Sequence, residues 1–151
     1  RQRLRVMPSP WSYFDSSLFV KRYGRARGSS RARSLLRRYR FLSSAITPVE
    51  AISAFRRRRV SGELSGQNYV AILSRMREDR GYWELIELSP LVLGRAEDLI
   101  QKATLRTLDA IHLASAMTFQ TSAGIRVPFI TADLRQRDAA DQAELEIVWV
   151  G

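Results

Sequence analysis

Cysteine is absent from the 151 residues of this sequence. Disulfide bonds, thiolate zinc sites and cysteine nucleophiles are therefore excluded. No apolar run approaches the roughly 20 residues that a membrane-spanning helix needs. The basic start leads into Pro8-Ser9-Pro10, whereas a secretory signal would continue into an apolar core. We therefore expect a soluble protein that works in the cytoplasm, with no membrane partner.

Internal repeats, low-complexity linkers and a glycine-rich phosphate loop are also missing. The length suits a single domain with one hydrophobic core. Hydrophobic residues make up 45% of the chain, which is typical of a folded globular protein. We expect residues 1–11 to form a basic N-terminal extension without fixed structure and residues 12–151 to form the domain.

Acidic residues are scarce in the first part of the chain. Residues 1–59 carry 16 arginines and lysines against two acids, whereas residues 60–151 carry 9 against 13. Arginine accounts for 23 of the 25 cations, and its planar guanidinium suits phosphate and carboxylate groups. Such a field favours RNA or an acidic protein as a partner. A solvated arginine-rich face has the same composition, so the charge alone does not choose between these interpretations.

Short apolar runs alternate with amphipathic stretches, a pattern that predicts strands interleaved with helices. The predicted strands cover residues 11–15, 41–46, 84–88, 127–131 and 145–150. The predicted helices cover residues 16–23, 30–40 (with Ser30 as the cap), 47–59, 65–80, 91–102 and 108–120. Strands connected through helices imply a parallel sheet covered on both faces. We therefore predict an α/β fold, a three-layer α/β/α domain with a mainly parallel sheet of about five strands.

Four acids lie where this topology would place a ligand site. Asp15 closes the first strand, Glu50 opens the helix after the second, Asp133 follows the fourth, and Asp109 lies in the first turn of helix 108–120. Ligands of such sheets bind beyond the carboxyl ends of the strands. Magnesium takes carboxylate oxygens together with waters and substrate phosphate. Unscreened carboxylates that lie close together raise each other's pKa, so we expect a cation among them.

Each acid also has a structural explanation. Glu50 would complete a capping box with Thr47. Asp133 would cap a short helix after it, and Asp15 the turn after it. Asp109 is favoured by the dipole at the start of its helix. The functional interpretation therefore depends on all four acids lying at the same end of the sheet.

His112 is the only histidine, and it lies three residues after Asp109. This spacing places both residues near one helix face, so a general-base role is conceivable. A histidine in so apolar a helix is more often a packed or hydrogen-bonded core residue, and metal-bound water can act as the base instead. We therefore favour a structural role for His112.

Four stretches carry a family resemblance: residues 13–21 (YFDSSLFVK), 44–50 (SAITPVE), 105–114 (LRTLDAIHLA) and 129–133 (FITAD). In order and spacing they resemble the PIN-domain ribonucleases, and in particular the VapC-like toxins of type II toxin–antitoxin systems. The stretch around Asp109 is the most specific of the four. The resemblance extends from about residue 13 to residue 150.

The resemblance implies a metal-dependent endoribonuclease. Its supporting hydroxyls would be those of Ser16 and Thr131. Its metal would be Mg²⁺, with Mn²⁺ as an alternative. The catalytic and metal-binding residues would be Asp15, Glu50, Asp109 and Asp133.

The resemblance further implies an RNA substrate, a cognate VapB-like antitoxin and a homodimer. We expect Arg106, Lys21 and Arg22 near the RNA phosphates. Two other functions stay open at this point. A non-catalytic arginine-rich RNA-binding module would bind RNA with a steep salt dependence and without need of a metal. A phosphate-accepting signalling domain also gathers acids at strand ends, but no lysine is well placed near the end of the last strand.

Overall fold

The computed structural model of the protein describes residues 11–24 and 29–151. The extension that we expected over residues 1–11 therefore lies outside the described residues except for Trp11. This residue is the first of a strand and pairs with Arg40 of the neighbouring strand. Residues 25–28 also lie outside the described residues.

Five strands form one sheet in which every neighbouring pair is parallel. They are β1 (Trp11–Phe14), β2 (Arg40–Ser44), β3 (Glu84–Ile86), β4 (Phe129–Thr131) and β5 (Ile147–Trp149). Their order is β3-β2-β1-β4-β5. The chain builds outward from β1 first on one side and then on the other, so the order reverses between β1 and β4. In open parallel sheets this reversal marks the usual ligand crevice, at the carboxyl ends of the strands.

Seven helices and a short 3₁₀ turn (Arg80–Tyr82) connect the strands of the described chain. Among the described residues, no helix combines the length and apolarity that a bilayer span requires. The helices are α1 (Ser17–Tyr23), α2 (Ser29–Arg38), α3 (Thr47–Ser61), α4 (Gly66–Asp79), α5 (Pro90–Lys102), α6 (Thr107–Ala123) and α7 (Leu134–Gln142).

The side chains of β1 alternate between the two faces of the sheet, as the pleat requires. Phe14 packs with residues of α1 to α4, and its ring stacks on Phe41 with centroids 5.1 Å apart. Tyr13 packs on the opposite face with residues of α6 and α7, and its ring stacks on Phe129 at 5.2 Å. Each face of the sheet therefore has its own core beneath its own helices. The predicted three-layer α/β/α fold is confirmed.

Two predicted helix starts are wrong. Ser30 does not cap α2, because the helix already begins at Ser29. Thr47 does not cap α3, since Ile46 precedes the helix and Thr47 is its first residue. The Thr47 hydroxyl turns back to β2 instead, where it lies 2.6 Å from Ser43 Oγ and accepts a hydrogen bond from the Ser44 amide at 3.3 Å. The Thr47 hydroxyl is therefore hydrogen-bonded to β2 and is not available for the capping box.

The core contact of Phe55 gives a test of this packing. Phe55 in α3 is 1% exposed, and Phe55→Ala should lower the free energy of unfolding by about 3–5 kcal/mol because it removes buried apolar surface and leaves a cavity. Val60 lies on the same helix but is 72% exposed, so Val60→Ala should change it by no more than about 0.5 kcal/mol. Urea unfolding followed by circular dichroism measures both. Equal losses in the two variants would contradict this core assignment.

Candidate active site

Asp15 follows β1 directly, and the residue is 3% exposed. Thr131, the last residue of the neighbouring strand β4, donates a hydrogen bond from its hydroxyl to Asp15 Oδ2 at 2.5 Å. Ser17 donates to Asp15 Oδ1 from its amide at 3.1 Å and from its hydroxyl at 2.5 Å. The carboxylate is thus held at the carboxyl edge of the sheet, where β1 and β4 meet.

The two hydroxyls on Asp15 are not quite the pair that the resemblance implied. Thr131 lies against Asp15 as expected, but the second hydroxyl belongs to Ser17 and not to Ser16. The Ser16 side chain makes no capping hydrogen bond at the start of α1. Ser17 Oγ also accepts a hydrogen bond from the Ala132 amide at 2.9 Å, so it joins α1 to the loop after β4. Two adjacent serines follow Asp15 in the sequence, and only the turn into α1 decides which one points back.

Asp133 lies two residues beyond β4 and caps α7, as predicted. Its Oδ1 accepts hydrogen bonds from the amides of Arg135 at 2.9 Å and Gln136 at 3.4 Å. Within residues 11–24 and 29–151, its Oδ2 accepts no hydrogen bond. The cap therefore occupies one carboxylate oxygen and leaves the other available to a ligand.

Asp109 lies in the first turn of α6 and is half-buried. Its carboxylate accepts no hydrogen bond from the part of the chain that the structure describes. Its backbone oxygen accepts one from Gln136 Nε2 at 3.1 Å, and the Gln136 side chain is 1% exposed. This hydrogen bond joins the helix of Asp109 to the helix that Asp133 caps.

Glu50 reaches the site from the first turn of α3. Its Oε1 lies 2.6 Å from His112 Nε2, and its side chain is 19% exposed. His112 Nδ1 lies 2.7 Å from the hydroxyl of Tyr13. His112 itself is 2% exposed, so the prediction of a hydrogen-bonded core histidine is confirmed. Its bond to one of the four acids was not foreseen.

Three of the four acids interact electrostatically. The pKa of Asp15 is raised to about 6, chiefly by burial and in smaller part by the charge of Asp133. The pKa of Asp109 is also raised, first by burial and then by the same charge of Asp133. Asp133 thus acts electrostatically on acids from two other elements, which is the coupling expected of carboxylates at one site.

Two arginines act on the same site. Their positive charges are among those that lower the pKa of Asp109 against these effects, and that of Arg135 contributes most. Arg106 immediately precedes α6 and is exposed, and it was among the cations predicted to meet RNA. Arg135 was missed, although its place two residues after Asp133 is a signal that the sequence carries.

The other two predicted RNA-binding cations lie on α1. Lys21 is half-buried. Arg22 lies 3.8 Å from Asp79 Oδ2, and its guanidinium stands 5.3 Å from the centre of the Tyr23 ring. Arg22 also lines a groove of about 1000 Å³ together with Arg33, Arg58 and Arg75.

The donors at this edge fit a hydrated divalent cation. Among the described residues, no three His, Asp or Glu side chains form a ready-made metal cluster. Magnesium does not require one, because it sheds water reluctantly and takes one or two carboxylates with waters and substrate phosphate. The carboxylate of Asp109 and the Oδ2 of Asp133 are hard oxygen donors without a hydrogen-bond partner in the described chain. A cation held by these oxygens would relieve the repulsion from Asp133, which after burial is the second cause of the raised pKa of Asp109.

Comparison with known proteins gives the family. The sequence matches the PIN domain over residues 12–142. The chain belongs to the PIN-domain family. It is 34% identical over 137 residues to Ribonuclease VapC46 of Mycobacterium tuberculosis, a match that covers 90% of this chain and 95% of that relative.

Solved structures share the fold. The VapBC2 structure from Rickettsia felis, bound to a DNA fragment from its promoter, matches with a TM-score of 0.65 at 11% identity over 93% of this chain and 98% of that one. A toxin–antitoxin complex from Klebsiella pneumoniae matches with a TM-score of 0.60 at 20% identity over 83% and 88% of the two chains. The family expected from the four sequence stretches is confirmed.

The raised pKa of Asp15 predicts how stability depends on pH in the absence of metal. Aspartate in an unfolded chain ionises near pH 4, whereas Asp15 in the folded chain ionises at about 6. The folded state binds more protons between these values, so the free energy of unfolding falls as the pH rises through this window. A difference of about two pKa units corresponds to about 3 kcal/mol.

Urea unfolding in EDTA between pH 4 and pH 7 measures this contribution. Asp15→Asn cannot titrate, so the difference in unfolding free energy between the parent and this variant should change by about 2 kcal/mol across the range, most of the full contribution. Asp138→Asn, whose side chain is 66% exposed in the parent, should keep the pH dependence of the parent. An Asp15→Asn variant that follows the parent at every pH would show that Asp15 does not carry this penalty.

Proposed function

We propose that this PIN-domain protein is a magnesium-dependent endoribonuclease and the toxin of a toxin–antitoxin pair. The observation that carries the proposal is the hydrogen-bond network at the carboxyl edge of the sheet. The Thr131 hydroxyl joins the Asp15 carboxylate to the Asp133 amide, and Gln136 joins the Asp133 carboxylate to the Asp109 backbone. Sequence identity of 34% to Ribonuclease VapC46 supports the reaction class. The reaction is hydrolysis of an RNA phosphodiester by water.

The four acids divide the work between holding the ion and handling water. Asp15, Asp109 and Asp133 hold Mg²⁺, or Mn²⁺ in its place, and Glu50 orients the attacking water or holds a second ion. When bound, the ion polarises the phosphate and lowers the pKa of water at the site.

Local geometry suits these assignments. The hydroxyls of Ser17 and Thr131 fix the Asp15 carboxylate before any ligand arrives. The Oε2 of Glu50 accepts no hydrogen bond from the described residues, so it is available to a water while Oε1 is held by His112. Preorganised groups of this kind avoid reorganisation during the reaction.

Positive charge beside the acids suits a polyanionic substrate. Arg106 and Arg135 are exposed, and both act on Asp109, so we assign them to binding the substrate phosphates near the scissile bond. Lys21 and Arg22 extend the basic surface along α1. Contacts of this kind position the backbone of a nucleic acid without reading its sequence.

The proposed partner is a VapB-like antitoxin. The structures from Klebsiella pneumoniae and Rickettsia felis are those of toxin–antitoxin systems, and this chain shares their fold. The arginine-lined groove beside Arg22 offers four guanidinium groups, which suit the carboxylates of an acidic partner segment. Homodimerisation of the chain stays a prediction of the family resemblance.

A non-catalytic RNA-binding module is the second candidate. One observation favours it, because Asp133 does cap α7 as a purely structural acid would. In this alternative the arginines bind RNA, chelation of metal leaves the affinity unchanged, and salt weakens it steeply.

Substitution of the acids tests the catalytic proposal. Asp15→Asn and Asp109→Asn should each reduce cleavage of a mixed RNA substrate in magnesium at least about 100-fold, because a ligand of the ion is lost. Circular dichroism should show that both variants stay folded. Asp98→Asn, in which an exposed acid of α5 is replaced, is the matched control and should cleave like the parent. Parental rates in either site variant would overturn the mechanism.

Magnesium binding can be measured without RNA. An ion that binds only the folded state should raise the free energy of unfolding by about 1.4 kcal/mol at ten times its dissociation constant. The parent and Asp98→Asn should show this increase in urea unfolding with and without MgCl₂, and Asp109→Asn should not. Equal responses of the parent and Asp109→Asn would place the ion elsewhere and leave the RNA-binding module as the better account.

A further inference from the structure

A buried chain of three polar side chains runs from the sheet to the edge of the site. Tyr13 in β1 is fully buried, and its hydroxyl lies 2.7 Å from His112 Nδ1. His112 in α6 is 2% exposed, and its Nε2 lies 2.6 Å from Glu50 Oε1. These hydrogen bonds therefore connect β1, α6 and α3. They end at Glu50, the acid to which the proposed function gives the task of orienting the attacking water.

The hydrogen-bonding capacity of a carboxylate identifies the donor in the contact between His112 and Glu50. An ionised carboxylate only accepts hydrogen bonds, so the ring hydrogen that meets Glu50 must lie on Nε2. Nδ1 then accepts from the Tyr13 hydroxyl when it carries no hydrogen, and it donates to that hydroxyl when it carries one. Every nitrogen of the ring then has a partner, and the rotation of the imidazole is fixed at both ends.

Glu50 gains most from this contact. A glutamate has three side-chain torsions and loses much conformational freedom when it is fixed. Its side chain is 19% exposed, so without a partner it would sample several rotamers at the mouth of the site. The bond to a buried, doubly held ring restricts Oε1 and thereby aims Oε2.

Helix α6 consequently places two of the four acids. Asp109 lies in its first turn, and His112 follows three residues later on the same side of the helix. The helix therefore sets Asp109 directly and Glu50 through the imidazole. Gln136 of α7 holds the same helix through its hydrogen bond to the backbone oxygen of Asp109.

We propose that His112 is a positioning residue that holds the Glu50 carboxylate in the orientation needed for the reaction, with Tyr13 fixing the ring. This inference rests on the proposed function, since Glu50 has its role there. His112 touches neither the substrate nor the ion in this assignment. It acts through Glu50 alone.

Two amide substitutions separate this role from simple packing. In His112→Gln the side-chain nitrogen reaches about as far as Nε2, so it can donate to Glu50. In His112→Asn the side chain is shorter and retains at most the contact with Tyr13. We expect His112→Gln to keep kcat within about threefold of the parent and His112→Asn to lower it about 10–100-fold, the usual cost of removing a partner that orients a site residue. The KM for RNA should stay within about threefold of the parent in both variants, because Glu50 does not bind the sugar–phosphate backbone of the RNA in this proposal.

A double-mutant cycle shows whether His112 acts through Glu50. Glu50→Gln should lower kcat by itself, and adding His112→Asn should then cause no further loss, because the group that His112 positions is already gone. Losses that multiply would mean that His112 contributes independently of Glu50 and would overturn the proposal. Thermal unfolding of each variant shows whether a loss of rate reflects a loss of folded protein.

Nuclear magnetic resonance of the ring nitrogens tests the contacts without any activity. His112 is the only histidine in the sequence, so its ¹⁵N signals are unambiguous once any purification tag is removed. We expect Glu50→Gln to shift the Nε2 signal and Tyr13→Phe to shift the Nδ1 signal, whereas Asp98→Asn should shift neither. A Nε2 signal that ignores Glu50→Gln would overturn the proposal.

The two measurements distinguish failure of this inference from failure of the proposed function. Equal kcat in His112→Gln and His112→Asn, with cleavage by the parent intact, would overturn the positioning role alone. If the nitrogen shifts are as expected but the parent does not cleave RNA in magnesium, the proposed function is overturned. The contact between His112 and Glu50 would then have no catalytic role. Full activity of His112→Gln together with a slow His112→Asn supports both.

Discussion

Parallel pairing of β1 with β2 on one side and β4 on the other is the constraint on which the site depends. The register aligns Tyr13 with Leu42 and with Phe129, so the three strands end level with one another. Residues that are far apart in the chain then meet, as in the hydrogen bond from Thr131 to Asp15 across 116 positions. No local segment of the sequence contains this site. It exists only when β1 lies between its two neighbours.

Holding Asp15 at that junction has a thermodynamic cost. A buried carboxylate loses hydration, and two hydroxyls and an amide replace water only in part. The pKa of Asp15 is raised chiefly by this burial. The fold offsets the penalty with separate cores on the two faces of the sheet, built around Phe14 and Tyr13. The buried Asp15 carboxylate is thus energetically unfavourable within a well-packed sheet. Such groups are common where a protein binds a charged ligand.

Much of this arrangement can be predicted from the sequence because it follows from periodicity. Alternating short apolar runs and amphipathic stretches predict a parallel sheet, and the parallel sheet predicts that Asp15, Glu50 and Asp133 follow strands at one edge. The choice of Ser17 over Ser16 depends on the angle at which α1 leaves β1, which no pattern encodes. The bond between Glu50 and His112 joins residues 62 positions apart. Spacing rules within one helix do not reach such a partner.

Two of the capping predictions show where local sequence rules do not decide the structure. Thr47 and Glu50 have the sequence of a capping box, yet the strand takes the threonine hydroxyl and the buried imidazole takes the glutamate. Asp133 keeps its cap because both amides bind the same oxygen, Oδ1. A carboxylate has two oxygens, and a helix cap needs only one. Structural and functional roles are therefore compatible at Asp133, and the success of its capping prediction does not weigh against its assignment as a metal ligand.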